Sequence, residues 1–193
     1  MSRLDDILVQ PLTSRDLPNV RDLHSKVLPV SYPPSFFLQL LVIPTRTCLI
    51  AYKRGHPKQP LGFISAAIQK PSVLKCLISG SSEDPPLVSS VPRDSDLSKP
   101  CLEILTLGVL PSYQQRGLAR LLVQRMVDNL GGLCAMNSLV DGVLIYANVS
   151  TSNTQALTFY KRMGMVISSE VIKNLYRTLS YGSKDAYLVI GIL

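Results

Sequence analysis

The sequence has few of the residues that build metal sites and disulfide frameworks. Its 193 residues include two histidines, four cysteines and no tryptophan. The cysteines are widely separated and form no Cys-x-x-Cys pair; they are Cys48, Cys76, Cys101 and Cys134. This spacing argues against a zinc site and favours free thiols in a reducing compartment, so we expect a cytoplasmic protein without a metal.

Long hydrophobic runs and blocks of positive charge are missing as well. The apolar runs fall far short of the ~18 residues of a membrane-spanning helix, and the N-terminal MSRLDDILVQPL has no apolar signal-peptide core. We therefore expect no membrane segment. The net charge of +7 favours anionic partners such as phosphates or ribosomes. Because no Lys/Arg block of five residues occurs, we expect no sequence-specific nucleic-acid binding.

The apolar content is nevertheless sufficient for one well-buried core. Hydrophobic residues make up 46% of the chain and charged residues 17%, which is typical of a globular protein. A chain of this length fits one domain, so we expect a single domain over residues 1–193. Residues 70–100 are rich in Ser and Pro and lack periodicity, which predicts a loop insertion between two strands.

The first part of the chain predicts two helices followed by two strands. Thr13 or Ser14 can cap a helix over residues 15–27, in which Pro18 lies early enough to be tolerated. The other elements predicted here are a helix at 34–42 and strands at 47–53 and 61–68, joined by a turn-rich connection over 54–60.

Strands and helices alternate in the second part. Asn153 is a typical N-cap, and Gly164 fits the position just after a helix. The predicted elements are a strand at 101–110, a helix at 117–130, a strand at 142–149, a helix from Asn153 to Met163, and strands at 165–172 and 186–192. This α/β order predicts a mixed sheet with helices on both faces.

One loop-to-helix motif suggests a phosphate site. A helix N-terminus presents unpaired backbone N–H groups and the positive end of the helix dipole, and a glycine in its first turn lets a phosphate approach the backbone. The residues that fit this description are Gln114, Gln115, Arg116, Gly117, Leu118 and Ala119. Taken alone, the motif is also compatible with a loop in which a glycine merely begins a helix.

This motif and a second one resemble the Gcn5-related N-acetyltransferase (GNAT) family. The family's pyrophosphate loop is (Gln/Arg)-x-x-Gly-x-(Gly/Ala), and its Asn-x-x-Ala-x-x-Phe-Tyr pattern is matched here by Asn153, Ala156, Phe159 and Tyr160. The resemblance implies a GNAT fold with a mostly antiparallel sheet and acetyl-CoA as cosubstrate. It also implies cofactor contacts from Asn153, from Tyr160 facing the thiolate, and from the strand residues Leu107, Gly108 and Val109.

Within this family, the segment LPVSYPPSFF resembles the N-terminal acetyltransferases of the NatE and NatF types. The resemblance implies that two segments hold the first residues of a protein substrate. The residues implied are Leu28, Pro29, Val30, Tyr32, Leu105, Leu175 and Tyr176. A Pro-rich helix connection with a buried tyrosine is the alternative interpretation. Because no amphipathic segment follows Leu193, we expect the NatE type, with NatF as the close second.

The residues that would remove the amine proton depart from the family pattern. NatE and NatF enzymes use a tyrosine and a histidine to order a water, and the matching positions here are Glu103 and Asn148. Glu103 could accept the proton directly or through water, and Asn148 can bind water without accepting a proton. Glu103 could equally be a solvated strand residue or an ion-pair partner. His24 and His56 are expected to be structural and exposed, respectively.

The resemblance therefore implies an acetyl-CoA-dependent N-terminal α-amino acetyltransferase. Its substrates would be protein N-termini, with Met followed by an apolar residue, and its partners would include NatA subunits and the ribosome. The alternative is a catalytically weak or silent docking subunit of a NatA assembly, which the missing tyrosine and histidine favour. A small-molecule or ribosomal-protein acetyltransferase is a third possibility that LPVSY and Tyr176 disfavour.

Overall fold

The structure, a computed structural model, describes residues 6–70, 101–133 and 142–193. The predicted insertion lies almost wholly outside the described residues, as do Cys76 and Cys134. The elements in chain order are β1 (Ile7–Pro11), α1 (Leu17–Val27), α2 (Pro34–Val42), β2 (Arg46–Lys53), β3 (His56–Gln69), β4 (Cys101–Val109), a 3-10 turn (Pro111–Tyr113), α3 (Leu118–Leu133), β5 (Leu144–Ser150), α4 (Thr154–Arg162), β6 (Val166–Ile172) and β7 (Ala186–Ile192).

The strands form a seven-stranded sheet in the order β1-β2-β3-β4-β5-β7-β6. The pairings β1–β2, β2–β3, β5–β7 and β6–β7 are antiparallel. This mixed α/β arrangement, with a mostly antiparallel sheet, confirms the predicted fold class.

The contacts of the chain divide it into two compact units. The described part of unit 1 comprises residues 6–67, 104–133 and 178–181, and that of unit 2 comprises 68–70, 101–103, 142–177 and 182–193. The single-domain organisation stays a prediction, and each unit is described by itself below.

The core of unit 1 lies on both faces of its strands. On one face, Phe37 and Leu40 of α2 pack in a buried cluster with three alternate residues of β2, namely Cys48, Ile50 and Tyr52. On the other face, Gly62 lies opposite Ala51, and a Cβ on Gly62 would lie 3.3 Å from a methyl group of Leu122 in α3. Helices therefore cover both faces of the sheet in this unit, as predicted.

The core of unit 2 is a smaller cluster on one face of its strands. It consists of Cys101, Leu144, Tyr146 and Leu188, with Ile172 and Ile190 packed against it. Residues 144 and 146 of β5, and 188 and 190 of β7, are two apart, so each pair projects from the same face of its strand.

Several predicted boundaries are confirmed. Helix α2 occupies the predicted residues 34–42. Asn153 caps α4 by accepting a 3.0 Å hydrogen bond from the N–H of Ala156. Gly164 follows the helix with φ = 87°, in the left-handed region that glycine tolerates.

The predicted cap of α1 was wrong. The N-cap is Asp16, and both the hydroxyl and the N–H of Thr13 donate to its carboxylate. The hydroxyl of Tyr52, on β2, donates a 2.7 Å hydrogen bond to the other carboxylate oxygen. Asp16 is therefore fixed by a residue 36 positions away, which a local capping pattern does not detect.

Two strand predictions also need correction. The connection predicted over 54–60 is only a turn at Arg54 and Gly55, because β3 already begins at His56. Register shifts on β2 let Pro60 lie opposite Tyr52, since a bulge accommodates a proline that cannot donate to the ladder. The sequence predictions do not include β1, a strand of five residues.

Candidate active site

The predicted phosphate loop lies between the end of β4 and the start of α3. Gln115 and Gly117 both have positive φ angles, 57° and 85°, and the Gly117 carbonyl accepts the 2.9 Å hydrogen bond from the N–H of Leu121 that begins the helix. Gln115, Arg116 and Gly117 are exposed. The N–H groups of the first helical turn have no carbonyl one turn before them, so this loop fits an anionic group such as a pyrophosphate.

Side chains on either side of Gln115 hold this loop in place. The amide of Gln114 donates a 3.0 Å hydrogen bond to the carbonyl of Val109, at the end of β4. The guanidinium carbon of Arg116 lies 5.4 Å from the ring centroid of Tyr113, a cation–π distance. Leu118 is buried and anchors the first turn of α3. The loop therefore offers a phosphate mainly its backbone.

The last residues of β4 pack tightly inside unit 1. A Cβ on Gly108 would lie 2.6 Å from Val27 and 2.7 Å from Phe63, so a side chain there would displace core residues. Val109 is buried, and Leu107 is half-buried. The hydrogen bonds that this segment was expected to offer a cofactor stay a prediction, since the structure contains no ligand.

The predicted peptide-binding segment at residues 28–32 is paired with a second part of unit 1. The N–H of Ser180 donates a 2.8 Å hydrogen bond to the carbonyl of Pro29, and the N–H of Ser31 donates a 3.3 Å hydrogen bond to the carbonyl of Thr178. Val30 and Leu179 form an antiparallel bridge between these bonds. The resemblance names neither Thr178 nor Leu179 nor Ser180, and no local pattern in the sequence indicates this pairing.

The other predicted peptide-binding residues of unit 1 lie at the end of α1, against the hydrophobic cluster of this unit, and along a cleft. Leu28 ends α1 as its C-cap. Tyr32 and Leu105 are half-buried and pack against the same hydrophobic cluster. Val30 and Tyr32 also line a cleft of ≈ 640 Å³ beside α1 and α2. Burial raises the pKa of Tyr32, so its hydroxyl is protonated at neutral pH.

His24 is buried beside this cleft in an aromatic cluster. Its ring stacks on Phe63 at 5.0 Å and meets Tyr32 edge-on at 4.8 Å. Burial lowers the pKa of His24 to about 4, and its Nε2 atom has no hydrogen-bond partner among the described residues. His24 is therefore neutral and structural, as expected, and His56 is exposed.

Unit 2 brings together three of the predicted residues. The hydroxyl of Tyr176 donates a 2.6 Å hydrogen bond to the backbone carbonyl of Asn148. The side-chain oxygen of Asn148 is buried and has no partner in the described ranges, so it can accept a hydrogen bond from water or from a ligand. Burial, with a smaller contribution from Tyr176, raises the pKa of Tyr160, whose hydroxyl is therefore a proton donor at neutral pH.

Glu103, also in unit 2, is held by two residues that the sequence analysis missed. The amide of Gln69 donates a 2.6 Å hydrogen bond to its carboxylate, and the buried hydroxyl of Tyr146 donates another. Glu103 is therefore half-buried and hydrogen-bonded, which argues against the alternative of a solvated strand residue. The strand period could have indicated Tyr146, since it lies two residues before Asn148 on β5.

Leu175 and Asn153 lie in exposed parts of unit 2. The side chain of Leu175 is 39% exposed, and it follows Asn174, a residue with a positive φ angle. This exposure is compatible with a peptide contact. The side-chain oxygen of Asn153 is engaged in the helix cap, so its cofactor contact stays a prediction.

Neither a metal-binding cluster nor a membrane-spanning helix occurs among the described residues. Within them, no group of three or more His, Cys, Asp or Glu side chains could hold a metal ion. In the same ranges no helix combines the length and the apolar character needed to cross a bilayer.

The sequence matches the family model described as the acetyltransferase (GNAT) family over residues 17–165. Because this match covers most of the chain, the protein belongs to the GNAT acetyltransferase family. Among curated proteins, it is 27% identical over 168 residues to the histone acetyltransferase MCC1 of Arabidopsis thaliana. The aligned part covers 84% of this chain but only 61% of that relative's length.

Solved structures of N-terminal acetyltransferases share the fold. Arabidopsis thaliana NAA60 in complex with acetyl-CoA superposes with a TM-score of 0.73 at 22% identity, covering 97% of this chain and 98% of that chain. Arabidopsis thaliana Naa50, in complex with the bisubstrate analogue CoA-Ac-MVNAL, superposes with a TM-score of 0.66 at 20% identity, covering 97% and 99% of the two chains.

Proposed function

We propose that this GNAT-family protein transfers the acetyl group of acetyl-CoA to the α-amine of protein N-termini. We assign it to the NatE type, acting on Met followed by an apolar residue, with NatF as the close alternative. The observation that carries the proposal is the pairing of Pro29–Ser31 with Thr178–Ser180. This pairing gives the segment that the family uses for the peptide a fixed backbone, as substrate positioning requires.

The loop before α3 is the part of the chain that would hold the cosubstrate. The N–H groups at the start of the helix, with Gly117 in the left-handed region, would bind the pyrophosphate, and Gln114 and Arg116 would keep the loop in shape. Acetyl-CoA supplies the acetyl thioester. We expect acetyl-CoA to bind this loop equally well with and without added metal ions.

Two residues of unit 2 carry the proposed proton transfers, and a third positions the amine or a water. As the new C–N bond forms and the C–S bond breaks, Glu103 accepts the proton that leaves the amine, and Tyr160 gives a proton to the departing thiolate and regains one from solvent. Asn148 would hold a water or the amine at its unpartnered oxygen. An α-amine with a pKa of ~8 needs only modest help to lose its proton at neutral pH.

A docking subunit without activity is the second candidate. The observation in its favour is that Glu103 and Asn148 stand where the family's N-terminal acetyltransferases have a tyrosine and a histidine. NatA subunits and the ribosome, in the cytoplasm, are the partners we propose in either case, and the net charge of +7 supports attraction to an RNA-rich surface.

The test is a peptide panel assayed for acetyl-CoA turnover and for acetyl-CoA binding. It should include peptides that begin with Met and an apolar residue, and the same peptides with a blocked α-amine and one free lysine. We expect turnover only with a free N-terminus. Equal turnover of the blocked lysine peptides would contradict the substrate class, and binding without any turnover would contradict the enzyme and favour the docking subunit instead.

Glu103→Gln, with Glu170→Gln as the control, tests the proposed base. Glu170 is exposed on β6, so its substitution should leave turnover unchanged. We expect Glu103→Gln to lower kcat by about 100-fold, the usual contribution of a general base. A pH–rate profile identical to that of the native protein would remove Glu103 from the mechanism.

A further inference from the structure

Glu103 lies in a small hydrogen-bonded network within unit 2. Gln69, at the end of β3, donates to one carboxylate oxygen at 2.6 Å. Tyr146, on the neighbouring strand β5, packs in the same buried cluster as Cys101, which projects from the same face of β4 as Glu103, and the Tyr146 hydroxyl donates to the Glu103 carboxylate. Donors from two other strands therefore fix the orientation of a carboxylate on β4. A half-buried carboxylate with a single donor could rotate, whereas one with donors from two sides is restrained.

The titratable groups that face Glu103 can be named for the described residues. They are Tyr146 on β5 and Cys101 on the same strand, β4. Burial, followed by the charge of Glu103, raises the pKa of Tyr146. Burial is also the main cause that raises the pKa of Cys101, with a smaller contribution from the charge of Glu103, so both groups carry their protons at neutral pH. Tyr146 is 1% exposed, which leaves its hydroxyl a fixed donor in a water-excluded position.

Tyr146 also occupies the strand that carries the other proposed catalytic residue. Tyr146 and Asn148 are two residues apart on β5 and so project from the same face. The strand pairs regularly with β7 along both residues, with Tyr146 opposite Ile190 and Asn148 opposite Leu188. Because Tyr146 bonds Glu103 and shares β5 with Asn148, this strand fixes the two proposed catalytic residues relative to each other.

We propose that Tyr146 is a positioning residue for acetyl transfer: its hydroxyl, together with the Gln69 amide, holds Glu103 in the orientation that accepts the amine proton. This inference rests on the proposed function. Tyr146 does not touch the substrate in this scheme; it acts through Glu103. The chain would thus use a carboxylate on β4 and a tyrosine on β5, where the related enzymes use a tyrosine on the strand before the loop.

The kinetic test compares Tyr146→Phe with Tyr187→Phe over a range of pH. Tyr187 is half-buried on β7 and projects from the face opposite Leu188, so its substitution removes a hydroxyl away from Glu103. We expect Tyr146→Phe to lower kcat about tenfold and to shift the inflection of the pH–rate profile, with an unchanged KM for acetyl-CoA. Tyr187→Phe should show neither effect.

Gln69→Leu serves as the second variant in case Tyr146→Phe perturbs folding. It removes the other donor to Glu103 and should shift the profile in the same direction. If the native protein turns over and both variants give the native pH–rate profile, the positioning role is wrong while the proposed function stands. If the native protein transfers no acetyl group to any peptide, the proposed function fails and the positioning role fails with it.

A measurement without turnover tests the contact itself. Tyrosine labelled with ¹³C at Cζ gives one NMR signal per tyrosine, and Tyr146→Phe assigns the relevant one. We expect Glu103→Gln to move the Tyr146 signal and to leave the Tyr187 signal in place. A Tyr146 signal that does not respond to Glu103→Gln would overturn the inference whatever the kinetics show.

Discussion

The hydroxyl of Tyr176 donates a 2.6 Å hydrogen bond to the backbone carbonyl of Asn148. This bond ties the segment between β6 and β7 to the strand that carries Asn148, within the same unit. It therefore couples a predicted peptide-binding residue to a predicted catalytic one. A substitution of Tyr176 should therefore alter the position of Asn148.

Tyr176→Phe should destabilise the protein and weaken peptide binding. The variant loses one hydrogen bond to a half-buried carbonyl, so we expect the free energy of unfolding to fall by about 1 kcal/mol. The KM for the peptide should rise, with that for acetyl-CoA unchanged. Urea unfolding and steady-state kinetics measure the two effects. Tyr181→Phe is the control, since Tyr181 is 70% exposed; equal losses in both variants would contradict the prediction.

Gly117→Val should abolish tight binding of acetyl-CoA. Gly117 has φ = 85°, where a β-branched residue is strained by about 1–3 kcal/mol, and its side chain would stand where the phosphate approaches. We expect at least about a tenfold loss of affinity, equivalent to 1.4 kcal/mol, by calorimetric titration.

The matched control for this variant is Gly55→Val. Gly55 has φ = 80° and lies in the β2–β3 turn, and an added Cβ there would meet nothing within 4 Å. It should therefore lose similar stability but keep full affinity for acetyl-CoA. If both variants bind acetyl-CoA like the native protein, the phosphate loop is wrongly assigned.

Gly108→Ala should destabilise unit 1 by overpacking. The new methyl group would lie 2.6 Å from Val27 and 2.7 Å from Phe63, and we expect a loss of about 1–3 kcal/mol in the free energy of unfolding. Adding Phe63→Leu makes room for the methyl group, so the double variant should lose less than the sum of the two single variants. Strict additivity in urea unfolding would contradict this packing.

His24 should make the stability of the protein depend on pH. Burial lowers its folded-state pKa to about 4, below an unfolded value of ~6.5, so the unfolded chain binds the proton more tightly. Its contribution is fully present above the unfolded pKa and is lost as the pH falls from 6.5 to 4. We expect a loss of about 3 kcal/mol over this window.

The measurement for His24 is urea unfolding at a series of pH values. His24→Phe removes the titrating group, so its stability should vary less with pH than that of the native protein over the same window. His56→Gln is the control, because His56 is exposed, and it should behave like the native protein. A pH dependence of His24→Phe that equals the native one would show that another group is responsible.

The elements that the sequence predicted are those with local signals. The bounds of α2, 34–42, were predicted to the residue because proline precedes the helix and Pro44 keeps Ile43, which follows it, in an extended conformation. Asn153 and Gly164 were correctly placed because capping depends on the first and last turns of a helix. The conformation of the loop before α3 belongs to the same class, since its glycine and its helix are adjacent, while its role in binding a cofactor stays a prediction.

The features that the sequence did not reveal depend on distant residues. The carboxylate of Asp16, the N-cap of α1, is bonded to Tyr52 on β2 as well as to the nearby Thr13, and β1 is stabilised as a strand by pairing with β2. The donors to Glu103 come from Gln69 and Tyr146, 34 and 43 positions away. Long-range hydrogen bonds of this kind leave no periodic pattern in the sequence, so the structure is needed to find them.

The pairing of Ser31 with Thr178 joins residues 147 positions apart. A contact of such high sequence separation is slow to form, because a long loop must close before it contributes any stabilisation. The segment proposed to receive the substrate is thus completed only when residues 178–180 have reached it. A protein that acetylates nascent N-termini would therefore acquire this activity late in its own folding, after its helices and local hairpins have formed.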